Sequence, residues 1–327
     1  MLAYIGRRVL GMIPTLFIVS IVTFIIIQLP PGDFFTTRAI EAAMSGGGQD
    51  KETVEKMQER YGLDKPLYVQ YLRWVSGFPR GDFGYSLEWN SPVLPIVLQR
   101  MGYTIQVGAL SLLFMVAVAV PIGIYSATHK YSFGDHALSL LGFLGLSLPG
   151  FLLALLWMFF GIIVLRIPVG GEISRAMADQ PWGVPKLLDY LNHLWPPAVV
   201  LGLASTAQLQ RIMRSNLLDV LSQQHITTAR AKGLKERTVV NKYAVRVAIN
   251  PLISVMAMEV PKVLSESTIV GIVMSVPTTG PLLLRALLTQ DMYLAGTFLL
   301  FMTLLLMVAN LLADIALAWA DPRIVYS

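Results

Sequence analysis

The chain has 327 residues, of which 55% are hydrophobic and only 14% charged, with a formal net charge of +5 and no cysteine. Ordinary globular domains carry about 25% charged residues, so this is the composition of a protein dissolved in lipid. The missing cysteines exclude disulfides, thiolate metal sites and cysteine nucleophiles. The basic excess sits in one loop and at the amino end, as membrane topology requires, and is not a nucleic-acid footprint.

Residues 1–29 carry Arg7 and Arg8 and then run uncharged from Val9 to Leu29. That run exceeds the roughly 7–15 residues of a signal-peptide core, and no small-x-small cleavage site follows it. A retained first span is expected, with Arg7 and Arg8 in the cytoplasm. Residues 29–100 form the one long polar region, with acids and bases nearly balanced. It is too long for the positive-inside rule, which holds for loops up to about 60 residues. Within it, Ser45-Gly46-Gly47-Gly48 reads as a flexible joint. Val54, Met57 and Tyr61 fall at helical spacing, with Gly62 as a stop, and a second short helix is expected over 66–75.

Residues 101–128, containing Pro121, and 137–165, containing Pro149, are uncharged. Each exceeds the length of a span, so tilting or kinking is expected. Proline is tolerable there when neighbours satisfy the freed carbonyl. The turn between them, 129–136, is expected in the cytoplasm; His129 and His136 have no acidic or histidine partner at metal-ligand spacing. Residues 166–193 read as an external loop. A fourth span, 194–210, opens with Pro196-Pro197 and ends in Gln208, Gln210, Arg211 and Arg214.

The most basic interval is Gln223 to Pro251, where Arg230, Lys232, Lys235, Arg237, Lys242 and Arg246 face one acid, Glu236. Between spans, such a stretch is expected in the cytoplasm. The small residues Ala229, Ala231 and Gly233 would let another surface approach the backbone, and Gly233 can end a short helix and begin a turn. Charge alone also fits a juxtamembrane segment held near anionic lipid; the order Ala-x-x-x-Gly with a later proline is more specific for a docking loop.

The fifth span, 252–276, contains Glu259, Lys262 and Glu266 on one helix face. Ionisable groups at membrane depth face protein or a watery cavity, so these three either line a solute path or form an ion-paired lock between helices. Pro277 to Pro281 turns the chain outside, and 292–320 is the sixth span. The expected architecture is all-α and polytopic, with six transmembrane helices and both termini in the cytoplasm. Residues 1–100 supply the first span and an extracytoplasmic segment. Residues 101–327 supply a five-helix core with its cytoplasmic loop at about 215–250. No Gly-x-x-x-x-Gly-Lys-Ser/Thr, His-Glu-x-x-His or Gly-x-Ser-x-Gly occurs. No nucleotide, metal, cofactor or catalytic site is therefore expected, and energy must enter from a partner.

The run Thr228-Ala229-Arg230-Ala231-Lys232-Gly233-Leu234 resembles the cytoplasmic EAA coupling loop of binding-protein-dependent ABC importer permeases, in its dipeptide/oligopeptide form. Thr227 stands where the general pattern has Glu. The proline that often follows soon after is replaced by Arg246, with Pro251 coming later; both departures are common in the peptide branch. Ile13-Pro14-Thr15-Leu16, Pro31-Gly32-Asp33, Tyr61-Gly62-Leu63-Asp64-Lys65-Pro66 with Gln70-Tyr71, Arg80 to Ser86 and Asp321-Pro322-Arg323 extend the resemblance from Arg7 to Arg323. It implies a type I ABC importer permease fold, with Thr227 to Leu234 contacting the ATPase. Implied partners are a second homologous permease subunit, two ATPase subunits and an extracytoplasmic solute-binding protein. The implied location is a bacterial or archaeal cytoplasmic membrane, and the implied mechanism is alternating access. The implied solutes are di- or oligopeptides, with oligosaccharides or related glycosides as the alternative. The external segment either caps the first helix or touches the solute-binding protein. The acidic residue that the family commonly has near the end of the fifth helix corresponds to Gly271, so no family role carries onto Glu266. An ion-driven secondary transporter, the rival from another class, should show pseudo-repeated halves with interrupted helices, and no repeat is visible.

Overall fold

A chain this apolar has no water to satisfy its backbone across the membrane, so its amides and carbonyls must pair within helices. The computed structural model describes residues 2–29, 34–44, 58–59, 62, 64–167 and 169–320. The joint at 45–48, nearly all of the helix expected at 51–61, and the 31–33 and 321–323 motifs lie outside the described residues.

The elements run α1 (Leu2–Gln28), α2 (Phe34–Met44), α3 (Leu67–Gly77), β1 (Tyr85–Ser86), β2 (Ser91–Pro92) and α4 (Val93–Thr128). Next come α5 (Phe133–Ser147), α6 (Gly150–Phe160), α7 (Arg175–Ala178) and α8 (Val184–Leu221). Then follow α9 (Gln224–Ala231), α10 (Glu236–Thr238), α11 (Val245–Ala248), α12 (Asn250–Val273), α13 (Thr279–Leu288) and α14 (Met292–Ala320). The strands pair antiparallel with Ser86 opposite Ser91. The apolar helix α13 begins within the stretch expected as a turn.

The chain divides into two compact units. Met1–Tyr103 joins Thr278–Met307 in one, and Thr104–Pro277 joins Val308–Ser327 in the other. The first unit is built on Trp74 of α3, which packs with Phe24, Val97, Leu282 and Phe298. The Trp74 ring lies 6.2 Å from Phe24 and 5.0 Å from Phe78, and its Nε1 donates to the Phe83 carbonyl at 3.2 Å. The carboxy-terminal part of the long polar segment is therefore packed on α1 and α14.

The second unit is organised along α8, whose Leu209, Met213 and Leu217 are fully buried with Met115, Ile226, Val239 and Leu252. Helices approach α8 closely because glycines face it. A Cβ on Gly123 of α4 would lie 2.7 Å from the Met213 Cβ, and one on Gly142 of α5 would lie 3.3 Å from the Gln210 Oε1.

Among the described residues, three helices are long and apolar enough to cross a membrane: Tyr4–Gln28, Val93–Thr128 and Met292–Ala316. Two bent pairs raise this to five if each is one span. One joins Glu236–Ala248 to Asn250–Val273 at 48°. In the other, Phe133–Ser147 and Gly150–Leu165 meet at 111°, so the span expected at 137–165 is in two pieces. The break lies where Leu148 is extended (φ −93°, ψ 128°) and Pro149 follows at φ −60°, ψ 144°. The helical region is disfavoured for a residue before proline, and proline lacks the N–H that would continue the ladder, so a helix can part here where packing does not hold it. The interval expected as the fourth span is helical within α8, but its Pro, Gln, Ser and Thr content keeps it out of that apolar set.

Candidate coupling site

The basic loop folds as an elbow. After α8, Gln223 is extended (φ −78°, ψ 153°) and α9 restarts the helix. It ends in a glycine cap: Gly233 has φ +75°, its N–H donates to the Arg230 carbonyl at 2.9 Å, and the Leu234 N–H reaches the Ala229 carbonyl at 3.4 Å. These are the two hydrogen bonds of a Schellman motif, which needs a left-handed residue after the helix. No atom lies within 4 Å of where a Gly233 Cβ would stand. Glycine is therefore required by backbone conformation and not by crowding within this chain.

One face of α9 is held and the other is open. Ile226 and Ala229 are buried in the second unit's core. Thr227, Thr228, Arg230, Ala231, Lys232, Gly233 and Leu234 are exposed. The surface that approaches Ala229 thus belongs to this chain itself, whereas Ala231 and Gly233 leave their backbone open to another molecule. Arg230 pairs with Glu236 across the elbow at 2.7 Å, with both side chains largely exposed. That hydrogen bond raises the Arg230 pKa, and the same contact lowers that of Glu236. The pair ties the end of α9 to the start of α10.

The three charges of α12 lie in different environments. Glu259 is 5% exposed and accepts from Ser205 Oγ of α8 at 2.5 Å and from Lys262 Nζ at 3.3 Å. The Lys262 side chain is 41% exposed. Glu266 is half-buried one turn further along.

Two polar clusters were missed by sequence reasoning. In the first unit, Asp291 is fully buried and accepts from Ser86 Oγ at 2.6 Å, the Glu88 N–H at 3.1 Å and the Leu294 N–H at 3.2 Å. Beside it the buried Glu88 carboxylate takes Arg285 Nη2 at 2.6 Å and also pairs with Arg38. Burial alone would raise the Glu88 pKa; hydrogen bonds and charge from Arg285 and Arg38 outweigh it and hold the carboxyl below its ordinary value. An acid immediately before the apolar run at 292 is a helix-start signal that marks Asp291. In the second unit, Ser132 caps α5, its Oγ accepting the Asp135 N–H, and the Asp135 carboxylate pairs with Arg214. The pattern Ser132-x-x-Asp135 ahead of an apolar run is the visible signal there. Among the described residues, no group of three or more His, Asp or Glu side chains is placed to hold a metal ion.

The family described as "Binding-protein-dependent transport system inner membrane component" matches residues 119–326, and its amino-terminal companion matches residues 1–108. The chain belongs to this permease family. It is 34% identical over 335 residues to the oligopeptide transport system permease protein AppB of Bacillus subtilis, covering all of both chains. It is 33% identical to a putative peptide permease protein of Brucella ovis and 31% identical to a probable peptide ABC transporter permease protein of Sinorhizobium fredii, over 99% of each chain. In structure, the permease is similar to a chain of the MetNI methionine ABC transporter in an inward-facing form, at a TM-score of 0.55 and 15% identity. That likeness covers 70% of the permease and 97% of the other chain. The fold is therefore that of a type I ABC importer permease, as the sequence led us to expect.

Proposed function

We propose that this permease is one of two related membrane subunits of an ATP-driven, binding-protein-dependent peptide importer. It works with two ATPase subunits and an extracytoplasmic solute-binding protein in a bacterial or archaeal cytoplasmic membrane, with six spans and both termini in the cytoplasm. The observation that carries this reading is the α9 elbow, whose inner face is packed on α8 while its outer face exposes Ala231, Lys232 and Gly233. Such a surface suits insertion into a groove on a separate ATPase, and its attachment to α8 gives any displacement a rigid lever. Full-length similarity to the peptide permeases supports the solute class. Thr227, Thr228, Arg230 and Leu234 complete the docking face, and Ala229 seats it. Within α12, Glu259 and Lys262 form the lock to α8, and Glu266 is the lining residue of the solute path. Each state must favour a different set of partners, because a ligand shifts a conformational equilibrium only by its differential affinity.

The test is uptake by the complete complex in proteoliposomes. Peptide accumulation should require ATP and the solute-binding protein; accumulation driven by an ion gradient without ATP would overturn the reading. The cysteine-free chain also permits single Lys232→Cys labelling, and strong labelling from outside would place the elbow on the wrong side.

A further inference from the structure

The Asp135–Arg214 pair is used by neither the docking face nor the solute path, yet it joins two elements that both matter to motion. Arg214 lies on α8 about two turns before the end to which α9 is seated. Its Nε and Nη2 donate to the two Asp135 oxygens at 2.9 and 2.7 Å. The Asp135 side chain is 3% exposed and also accepts the Tyr131 N–H at 3.0 Å, holding that residue at φ +64° in the turn before α5. From there α5 runs along α8, with Gly142 against Gln210 and Gly145 against Ala207. It then stops at the 111° break before Pro149.

We infer that the Asp135–Arg214 ion pair is a positioning element for transport: it fixes α5 to α8 so that displacement of α9 is delivered to the break at Pro149. A buried ion pair is weak evidence of stability, because well-packed apolar residues often replace one at no cost. What apolar residues cannot supply is direction. A two-pronged guanidinium–carboxylate contact sets both the register and the rotation of one helix on another. Without it, α5 and α8 retain their glycine-mediated contact, which allows sliding. The chain from elbow to break is then continuous: α9 on α8 through Ile226, α8 on α5 through Arg214, and α5 to Pro149. This inference rests on the coupling role proposed for α9.

The test is the assembled complex carrying Asp135→Leu with Arg214→Met, compared with the exchanged pair Asp135→Arg with Arg214→Asp. The apolar pair should assemble and keep basal ATP hydrolysis, while solute transported per ATP falls by roughly two- to thirtyfold, the range of a coupling contribution. The exchanged pair should recover much of that ratio. An unchanged ratio in the apolar pair, or transport that falls only in proportion to complex yield, would overturn the inference. Should the apolar pair fail to assemble, the isosteric Asp135→Asn decides: a lower ratio at normal yield supports the inference, and a normal ratio removes it. A parent complex showing no ATP-dependent uptake would instead sink the proposed function.

Discussion

The β1–β2 hairpin and the α9 elbow handle charge in opposite ways. Around β1 and β2, the acids Asp291 and Glu88 are buried and each gathers several donors. At the elbow, Arg230 and Glu236 meet in water, and the only buried side chains of α9 are Ile226 and Ala229. Loss of one buried partner strands the others, whereas an exposed pair contributes only about 0.2–1 kcal/mol and yields easily. The first arrangement suits a cap that must stay in place. The second suits a surface that must meet another molecule.

Four experiments test that contrast, from the largest expected effect downward. Asp291→Ala leaves Ser86 Oγ and the N–H groups of Glu88 and Leu294 without their acceptor. At about 1–3 kcal/mol for a stranded buried group, it should sharply lower the thermal stability and yield of the permease, with Asp291→Asn milder. Normal stability in the alanine variant would show that the hairpin is not held this way. The Glu259–Lys262 pair has one partner in each class, buried acid and exposed base. Lys262→Met should therefore cost about 1–3 kcal/mol, less than a fully buried pair, and Glu259→Gln added to it should restore complex yield. Normal yield with altered uptake would assign Lys262 to the solute path.

Gly233→Val should leave the chain inserted and stable but suppress solute-stimulated ATP hydrolysis. The left-handed conformation costs a side chain about 1–2 kcal/mol, and a β-branched residue thickens the exposed face. Gly233→Asn, which tolerates φ above zero, should retain more activity. Normal stimulation in the valine variant would remove α9 from coupling.

The smallest effect is a pH dependence. Glu88 has a folded pKa below its reference value of 4.5, so its contribution is present above that value and lost as pH falls through the depressed one. Melting temperature should fall in that acid window, and the Glu88→Gln variant should lose that part of the slope. An identical slope in both proteins would assign the acid sensitivity to other groups.

The legibility of the molecule follows the same division. Sequence alone determined what depends on neighbours along the chain: the lipid-soluble composition, the helical class, the basic interval and the capping glycine of α9. Gly233 was readable because a helix terminus is specified by a few consecutive residues. Tertiary structure alone decided the rest. Pro121 and Pro261 remain inside continuous helices while the chain breaks at Pro149, because a proline within an apolar run says nothing about whether packing will keep the helix straight. The turn read at 277–281 starts α13, since Thr279 and Gly280 are buried by packing that local turn chemistry does not encode. Glu259, Lys262 and Glu266 share spacing but not environment: Ser205, far away in sequence, hydrogen-bonds one of them. Asp291 with Ser86 and Asp135 with Arg214 are likewise joined across long stretches of chain. Charge and periodicity mark which residues are unusual, but only folding chooses their partners, because the energy of a buried polar group is set by what lies within hydrogen-bond reach of it.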